Sequence, residues 1–146
     1  MQRRVFIKNA CLACAGCGLA STFATACKGI HYFTSPLEGD RLRLPKSEFS
    51  YLRKEEIKYR AWVVVKNERL PFPIGVFRFD DSEYSAVYLK CSHQGCEVQP
   101  EGNFLQCPCH GSEFSNRGKL QEGPAEADLT SFLVKTDTDN IYILLK

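Results

Sequence analysis

The sequence predicts an all-β fold, mostly antiparallel, preceded by an N-terminal signal or anchor helix. From Tyr59 onward the apolar residues fall into short β-branched and aromatic runs bounded by Gly, Pro, Asp, Asn and Ser. Two pairs of these runs are separated by compact polar turns, the arrangement a hairpin needs. Outside the first thirty residues no long window shows a helical period.

Residues 1–27 are expected to be an export signal or membrane anchor. "RRVFIK" resembles the twin-arginine export motif, with Arg3 and Arg4 as the pair. That bacterial-type route exports folded proteins, which suits a chain loaded with its cofactor before export. Ala10 to Ala26 is seventeen residues without a charge, about the least that spans a hydrocarbon core. Cys27 after "ATA" resembles a lipoprotein cleavage site, although Ala24 stands where a large aliphatic residue is usual. Cys11, Cys14 and Cys17 share the spacing of ferredoxin ligands, but in an export segment they read as small apolar residues.

Residues 28–50, with Pro36, Gly39 and Pro45, read as a linker followed by a first strand around "RLRL". The domain proper is expected over 51–146. "SYLRKEEIKY" reads as a brief helical turn. "YRAWVVVK" (Tyr59 to Lys66) is a strand. "IGVFRF" and "YSAVYLK" form a hairpin across Asp80 to Glu83, and "SFLVKT" and "IYILLK" form a second across "DTDN". Trp62 and the phenylalanines read as core. His31, with no partner nearby in sequence, reads as structural. Cys91 to Gln99 and Cys107 to Phe114 remain as two loops rich in Gly, Ser and Pro.

The formal charge of +2 is small, and Arg3, Arg4 and Lys8 in the first 26 residues supply more than all of it. The remainder sits at −1 with no basic stripe, which excludes a nucleic-acid surface. A chain of 146 residues with ordinary hydrophobic content is globular, long enough for one core and too short for two.

The two loops hold four cysteines and two histidines. Zinc could take His93, Cys96, Cys107 and His110 as a tetrahedron, leaving Cys91 and Cys109 idle. Disulfides alone would ignore both histidines. A third assignment uses all six: Cys91 and His93 from one loop, Cys107 and His110 from the other, and Cys96 with Cys109 as a bridge.

That third pattern resembles the Rieske iron–sulfur family. "CSHQGC" is similar to its first box, "CPCHGSEF" to its second, and "GPA" (Gly123 to Ala125) to its proline-containing covering loop. The resemblance runs from about Tyr59 to the C-terminus. It implies a Rieske-type antiparallel β sandwich carrying one [2Fe–2S] cluster. Cys91 and Cys107 would be the ligands of the inner iron, and His93 and His110 those of the outer iron. Two neutral imidazoles in place of two thiolates remove negative charge, so the centre accepts an electron more readily than a plant-type ferredoxin does. The resemblance further implies that Ser112 donates a hydrogen bond to a bridging sulfide. Phe114 stands where high-potential members carry a Tyr whose hydroxyl bonds a ligand sulfur, which lowers the expected potential. Gln94 stands where quinol-oxidising members commonly carry Leu.

A Cys96–Cys109 disulfide belongs to an oxidising compartment and marks the exported branch of the family. The expected function is that of a redox subunit rather than a complete enzyme. It would accept electrons from quinol, with His110 as the proton-coupled contact, and pass them to a c-type cytochrome. Its partners would be a membrane-bound, quinol-oxidising complex with a cytochrome b, with the domain on the outer side of the bacterial membrane. The alternative is the small subunit of a molybdenum oxidase of the arsenite-oxidase type. A Rieske oxygenase is excluded by counting, because its mononuclear iron needs two further histidines and the chain has three in all.

Overall fold

A computed structural model describes residues 29–146. The expected signal or anchor over residues 1–27, with Cys27 of the lipoprotein-like site and the ferredoxin-like trio Cys11, Cys14 and Cys17, lies outside the described residues. Three short strands come first: β1 (Tyr32–Thr34), β2 (Leu37–Glu38) and β3 (Arg41–Pro45). A 3-10 turn (Lys46–Phe49) leads to β4 (Ser50–Arg53) and β5 (Glu56–Tyr59). Then come β6 (Trp62–Lys66), β7 (Ile74–Arg78) and β8 (Tyr84–Tyr88). The region of the Cys/His loops holds β9 (Gln99–Glu101), β10 (Phe104–Gln106), β11 (Glu113–Ser115) and β12 (Leu120–Glu122). β13 (Ser131–Thr136) and β14 (Asn140–Leu144) close the domain.

Eight strands form one curled sheet in the order β1-β6-β7-β8-β13-β14-β3-β2. The curl is made by β13. Its first residues, Ser131 and Phe132, pair with β8, and Leu133 to Thr136 pair with β14. The two halves fold over a core of Leu42, Leu44, Phe49, Val63, Val65, Ile74, Val76, Ala86, Ile141 and Ile143. The all-β sandwich expected from the sequence is thus present, and both expected hairpins form in register.

The central strands are buried on both faces, which explains why "WVVVK" is apolar throughout instead of alternating. Val63 and Val65 face the sandwich core. Val64, with Phe77 and Val87, faces a second cluster that includes Leu89, Cys91, Val98, Leu105, Cys107, Phe114, Ala125 and Leu129. Over this outer face lies the four-stranded sheet β12-β11-β10-β9, which carries the Cys/His loops.

Three expectations change. The stretch "SYLRKEEIKY" is a β hairpin, with Lys54 and Glu55 at positive φ (50° and 65°) in its two-residue turn. Turns of that kind favour Asn and Gly, so the usual signal was missing. Residues 28–50 contribute three strands, and β1 lies parallel to β6, with Tyr32 opposite Val64. Phe79 is 40% exposed, under the guanidinium of Arg117 at 4.1 Å. His31 finds its partner seventeen residues on, where Nε2 lies 2.8 Å from Glu48 Oε2.

Gly75 sits opposite Val64 on the outer face, and a Cβ there would lie 3.0 Å from Phe77 Cε2 and 3.1 Å from Leu89 Cδ2. Both neighbours are 1% exposed and cannot swing aside. Gly75→Ala is expected to destabilise the fold by about 1–3 kcal/mol, read as a lower denaturant midpoint at unchanged slope.

In the last turn, Asp137 accepts the Tyr142 hydroxyl (2.7 Å) and the N–H groups of Asn140 (2.7 Å) and Asp139 (2.9 Å). These bonds, Tyr142's first, lower its pKa to about 2. Its ionised form is favoured by folding, so its contribution is whole above the unfolded value near 4 and fades as pH falls through about 2. The melting-temperature gap between the parent chain and Asp137→Asn should be full above pH ~4 and close on approach to pH 2.

Candidate metal centre

Two loops face each other across the outer cluster, and their backbones repeat. Cys91 N–H donates to the Cys96 carbonyl (2.8 Å), and Gly95 N–H donates back to the Cys91 carbonyl (2.9 Å). In the second loop Cys107 N–H donates to the Ser112 carbonyl (2.8 Å), and Gly111 N–H to the Cys107 carbonyl (2.9 Å). Each turn closes through a glycine at positive φ, Gly95 at 74° and Gly111 at 80°, where a Cβ would be strained. Each loop also caps a ladder. The first springs from the Lys90–Glu97 bridge, the second from the Gln106–Glu113 pair of β10 and β11. Two equivalent frames therefore each present a cysteine at the base.

Those two cysteines point inward. Cys91 is 3% and Cys107 1% exposed, and neither forms a disulfide. Burial is the largest cause holding the Cys91 thiol above its ordinary pKa, and the Cys107 thiol beside it pushes the same way. The backbone N–H groups of His93 and Gln94 act against that rise by donating to the Cys91 sulfur. His93 and His110 are exposed, with ring centroids 5.2 Å apart and planes at 88°. The bridge between Cys96 and Cys109 joins the loops, with a Cα separation of 6.5 Å. Its two sulfurs and the Cys107 sulfur lie within 4.8 Å of one another. The zinc assignment fails on this point, because Cys96 is spent in the disulfide.

A third segment covers the pair. Ala125 N–H donates to Ser112 Oγ (2.9 Å), and the Ser92 hydroxyl donates to the Ala127 carbonyl (2.6 Å). The segment that begins at the cis Gly123–Pro124 bond is thus tied to both loops. Ser112 is 0% exposed, and among the described residues its hydroxyl proton has no acceptor. Phe114 is 0% exposed in the outer core, and Gln94 is exposed at the loop tip. Ser92 was not singled out in the sequence; a serine inside the first box carries no signal that its hydroxyl will latch a segment thirty-five residues away.

The model of the Rieske [2Fe-2S] domain matches residues 48–133. The chain belongs to the Rieske [2Fe–2S] family. A Rieske domain carries one [2Fe–2S] cluster, and the protein is an iron–sulfur electron carrier. Among curated relatives, the cytochrome b6-f complex iron-sulfur subunit of Synechococcus sp. (strain CC9605) is 38% identical over 55 residues, 36% of this chain and 31% of the relative. The chloroplastic subunit of Triticum aestivum is 47% identical over 53 residues, 34% of this chain and 22% of the relative. The match thus spans a third or less of these relatives' length. Among solved structures, the plasma membrane Rieske protein PetC3 of Synechocystis PCC 6803 superposes with a TM-score of 0.50 at 31% identity, covering 57% of this chain and 85% of that one. Naphthalene 1,2-dioxygenase also gives 0.50, at 22% identity over 58% of this chain and 22% of its own, and shares the fold alone.

The donor set suits such a cluster. Two buried thiols lie below two surface imidazoles, and a buried hydroxyl holds a proton no protein atom takes up. Ser112→Ala would orphan the buried Ala125 N–H and is expected to cost roughly 1–3 kcal/mol, measured by denaturant unfolding. If Ser112 donates to a bridging sulfide, as the resemblance implies, the same variant should also show a lower midpoint potential.

Proposed function

We propose that Cys91 and Cys107 bind the inner iron and His93 and His110 the outer iron, and that the protein accepts electrons from quinol and hands them to a c-type cytochrome. The observation that carries this reading is the pairing of two buried free thiols with two exposed imidazoles inside one disulfide-braced frame. When bound, the cluster supplies a one-electron centre whose imidazole ligation raises its potential above that of all-thiolate ferredoxins.

The residues divide the work. Cys91 and Cys107 enter as thiolates and keep the inner end dry, since the outer core closes over them. His93 and His110 form the one edge that a donor or acceptor can touch. His110 would hold the cluster through one ring nitrogen, and the other would be free to accept a proton from quinol, so that proton uptake would accompany electron uptake. The Cys96–Cys109 bridge and the 123–127 segment hold the two loops at fixed spacing and exclude water from the thiolate side.

The b6-f relatives point to a membrane cytochrome complex as the partner, and the twin-arginine motif with residues 1–27 points to a domain tethered outside the membrane. Gln94 supports a second reading. A polar, exposed side chain at the tip would make a weaker contact with a lipid-lined quinol pocket than Leu does, and would suit a molybdenum oxidase partner of the arsenite-oxidase type. Gentle detergent purification from the native membrane with mass spectrometry separates the two. Recovery of a cytochrome b supports quinol oxidation, and recovery of a molybdenum subunit overturns it.

Phe114 sets the expected potential low. Phe114→Tyr adds a donor beside the ligand sulfurs. One net hydrogen bond of ~1 kcal/mol made preferentially in the reduced state would raise the midpoint by about 40 mV. An unchanged midpoint in a redox titration followed by electron paramagnetic resonance would remove Phe114 from the tuning of the site.

A further inference from the structure

We propose that the β4–β5 hairpin is a docking surface for an anionic lipid bilayer. This rests on the reading that residues 1–27 tether the chain to a membrane. The hairpin pairs with no other strand, and seven of its eight strand residues are exposed. Leu52 and Ile57 are directly opposite each other, and Tyr59 follows on the same face. They are 72%, 64% and 55% exposed, so the hairpin holds three of the most exposed large apolar side chains among the described residues. An apolar ridge on water is a cost unless something covers it.

Charge points to what covers it. Residues 1–28 hold four of the nineteen cations and no acid, so the described domain carries a net −2. Against that background residues 50–60 are basic, with Arg53, Lys54, Lys58 and Arg60 against Glu55 and Glu56. Arg60 is spent on the root, donating to the carbonyls of Glu48 (3.1 Å) and Ser50 (2.9 Å). Lys54 sits in the turn and Arg53 on the face opposite Leu52 and Ile57, where Lys58 is paired with Glu56 (2.6 Å), so Lys54 and Arg53 are the cations left for a partner. An apolar face with a cation at its tip, another on its polar face and tyrosines at its root is the amphipathic composition that settles at the headgroup level of an acidic bilayer.

Placement agrees. Gly29, where the described chain begins, lines a cleft of about 460 Å³ together with Tyr51, Arg53, Tyr59 and Trp62. The segment that would enter the membrane therefore meets the domain at the root of this hairpin. The hairpin leads into Trp62, which is in register with Phe77, and Phe77 with Ser85; the Cys/His loops spring from the other end of the ribbon, beyond Tyr88. Docked through the hairpin, the domain turns its imidazoles toward the aqueous side, the pose for handing on an electron.

The test uses the full chain reconstituted in vesicles of equal parts phosphatidylcholine and phosphatidylglycerol with brominated acyl chains. Leu52→Trp is compared with Leu133→Trp, an apolar position 60% exposed on the other half of the sandwich, each as a difference from the parent chain. The expected result is flotation of all three chains with the vesicles and about twofold or greater quenching of Leu52→Trp relative to Leu133→Trp. That quenching should weaken in phosphatidylcholine alone and in high salt. Flotation with Leu52→Trp unquenched overturns the docking surface and leaves the tether standing. Failure to float overturns the tether and this inference with it. Equal quenching at both positions overturns the assignment to the hairpin. Shielding of Leu52→Trp from aqueous iodide only when a co-purifying protein is present assigns the ridge to a protein and overturns the lipid assignment.

Discussion

Val63 and Val65 point one way from β6 and Val64 points the other, and all three are buried. That constraint governs the molecule. A strand with water on one face could have packed the sandwich and stopped there. Burying the second face demands another layer, and the layer supplied is a sheet of three-residue strands. Such strands have too few ladder bonds to stand alone. They hold because Leu105 and Phe114 are pressed onto the outer face of the ribbon beside Phe77, Val87 and Leu89. The cluster-binding end is therefore built on the sandwich and has no separate core.

The same burial sorts the proposed metal donors. Cys91 and Cys107 belong to the outer hydrophobic cluster as much as Val98 or Leu129 do, while the histidines two and three positions further on emerge into solvent. A free thiol is comfortable in an apolar core, where burial raises its pKa. Burial disfavours its thiolate, and on the proposed ligand assignment iron would bind there with release of the proton. The imidazoles, being neutral ligands, can sit in water without such an exchange. A neutral thiol inside and an imidazole outside is thus the arrangement that costs least in desolvation before any metal is bound.

Much of this was legible in the sequence because the chemistry is local. The two boxes lie within about twenty residues, and the Cys96–Cys109 pair proved to be the bridge expected of the exported branch. Long β-branched runs marked the central ribbon. Legibility failed where elements are short or their signals are carried by unusual residues. Lys54 and Glu55 at positive φ hid a hairpin behind a helix-friendly string of charges. The strands of residues 99–122 are three residues long, and Gln99 of β9 and Glu113 and Phe114 of β11 fell inside the two expected loops. The parallel pairing of β1 with β6 could not be seen at all, since its register depends on where β6 lies and not on the three residues of β1. The link from Ser92 to Ala127 is of the same long-range kind.

Phe114 shows how stability and tuning compete for one position. It is fully buried between Leu105 and Leu120 in the short sheet, and it sits two residues beyond Ser112. A hydroxyl buried there would have to find an acceptor or remain unpaired at a cost of about 1–3 kcal/mol. Phenylalanine avoids that cost and fills the same space, leaving the core intact while withholding a donor. Ser112 faces the opposite balance. Its oxygen is already engaged by Ala125, so its proton is directed rather than free to wander, and the segment that covers the site also orients the donor beneath it. On the proposed reading, tuning would be a by-product of packing: the residue that fits the core would decide which hydrogen bonds the redox centre receives.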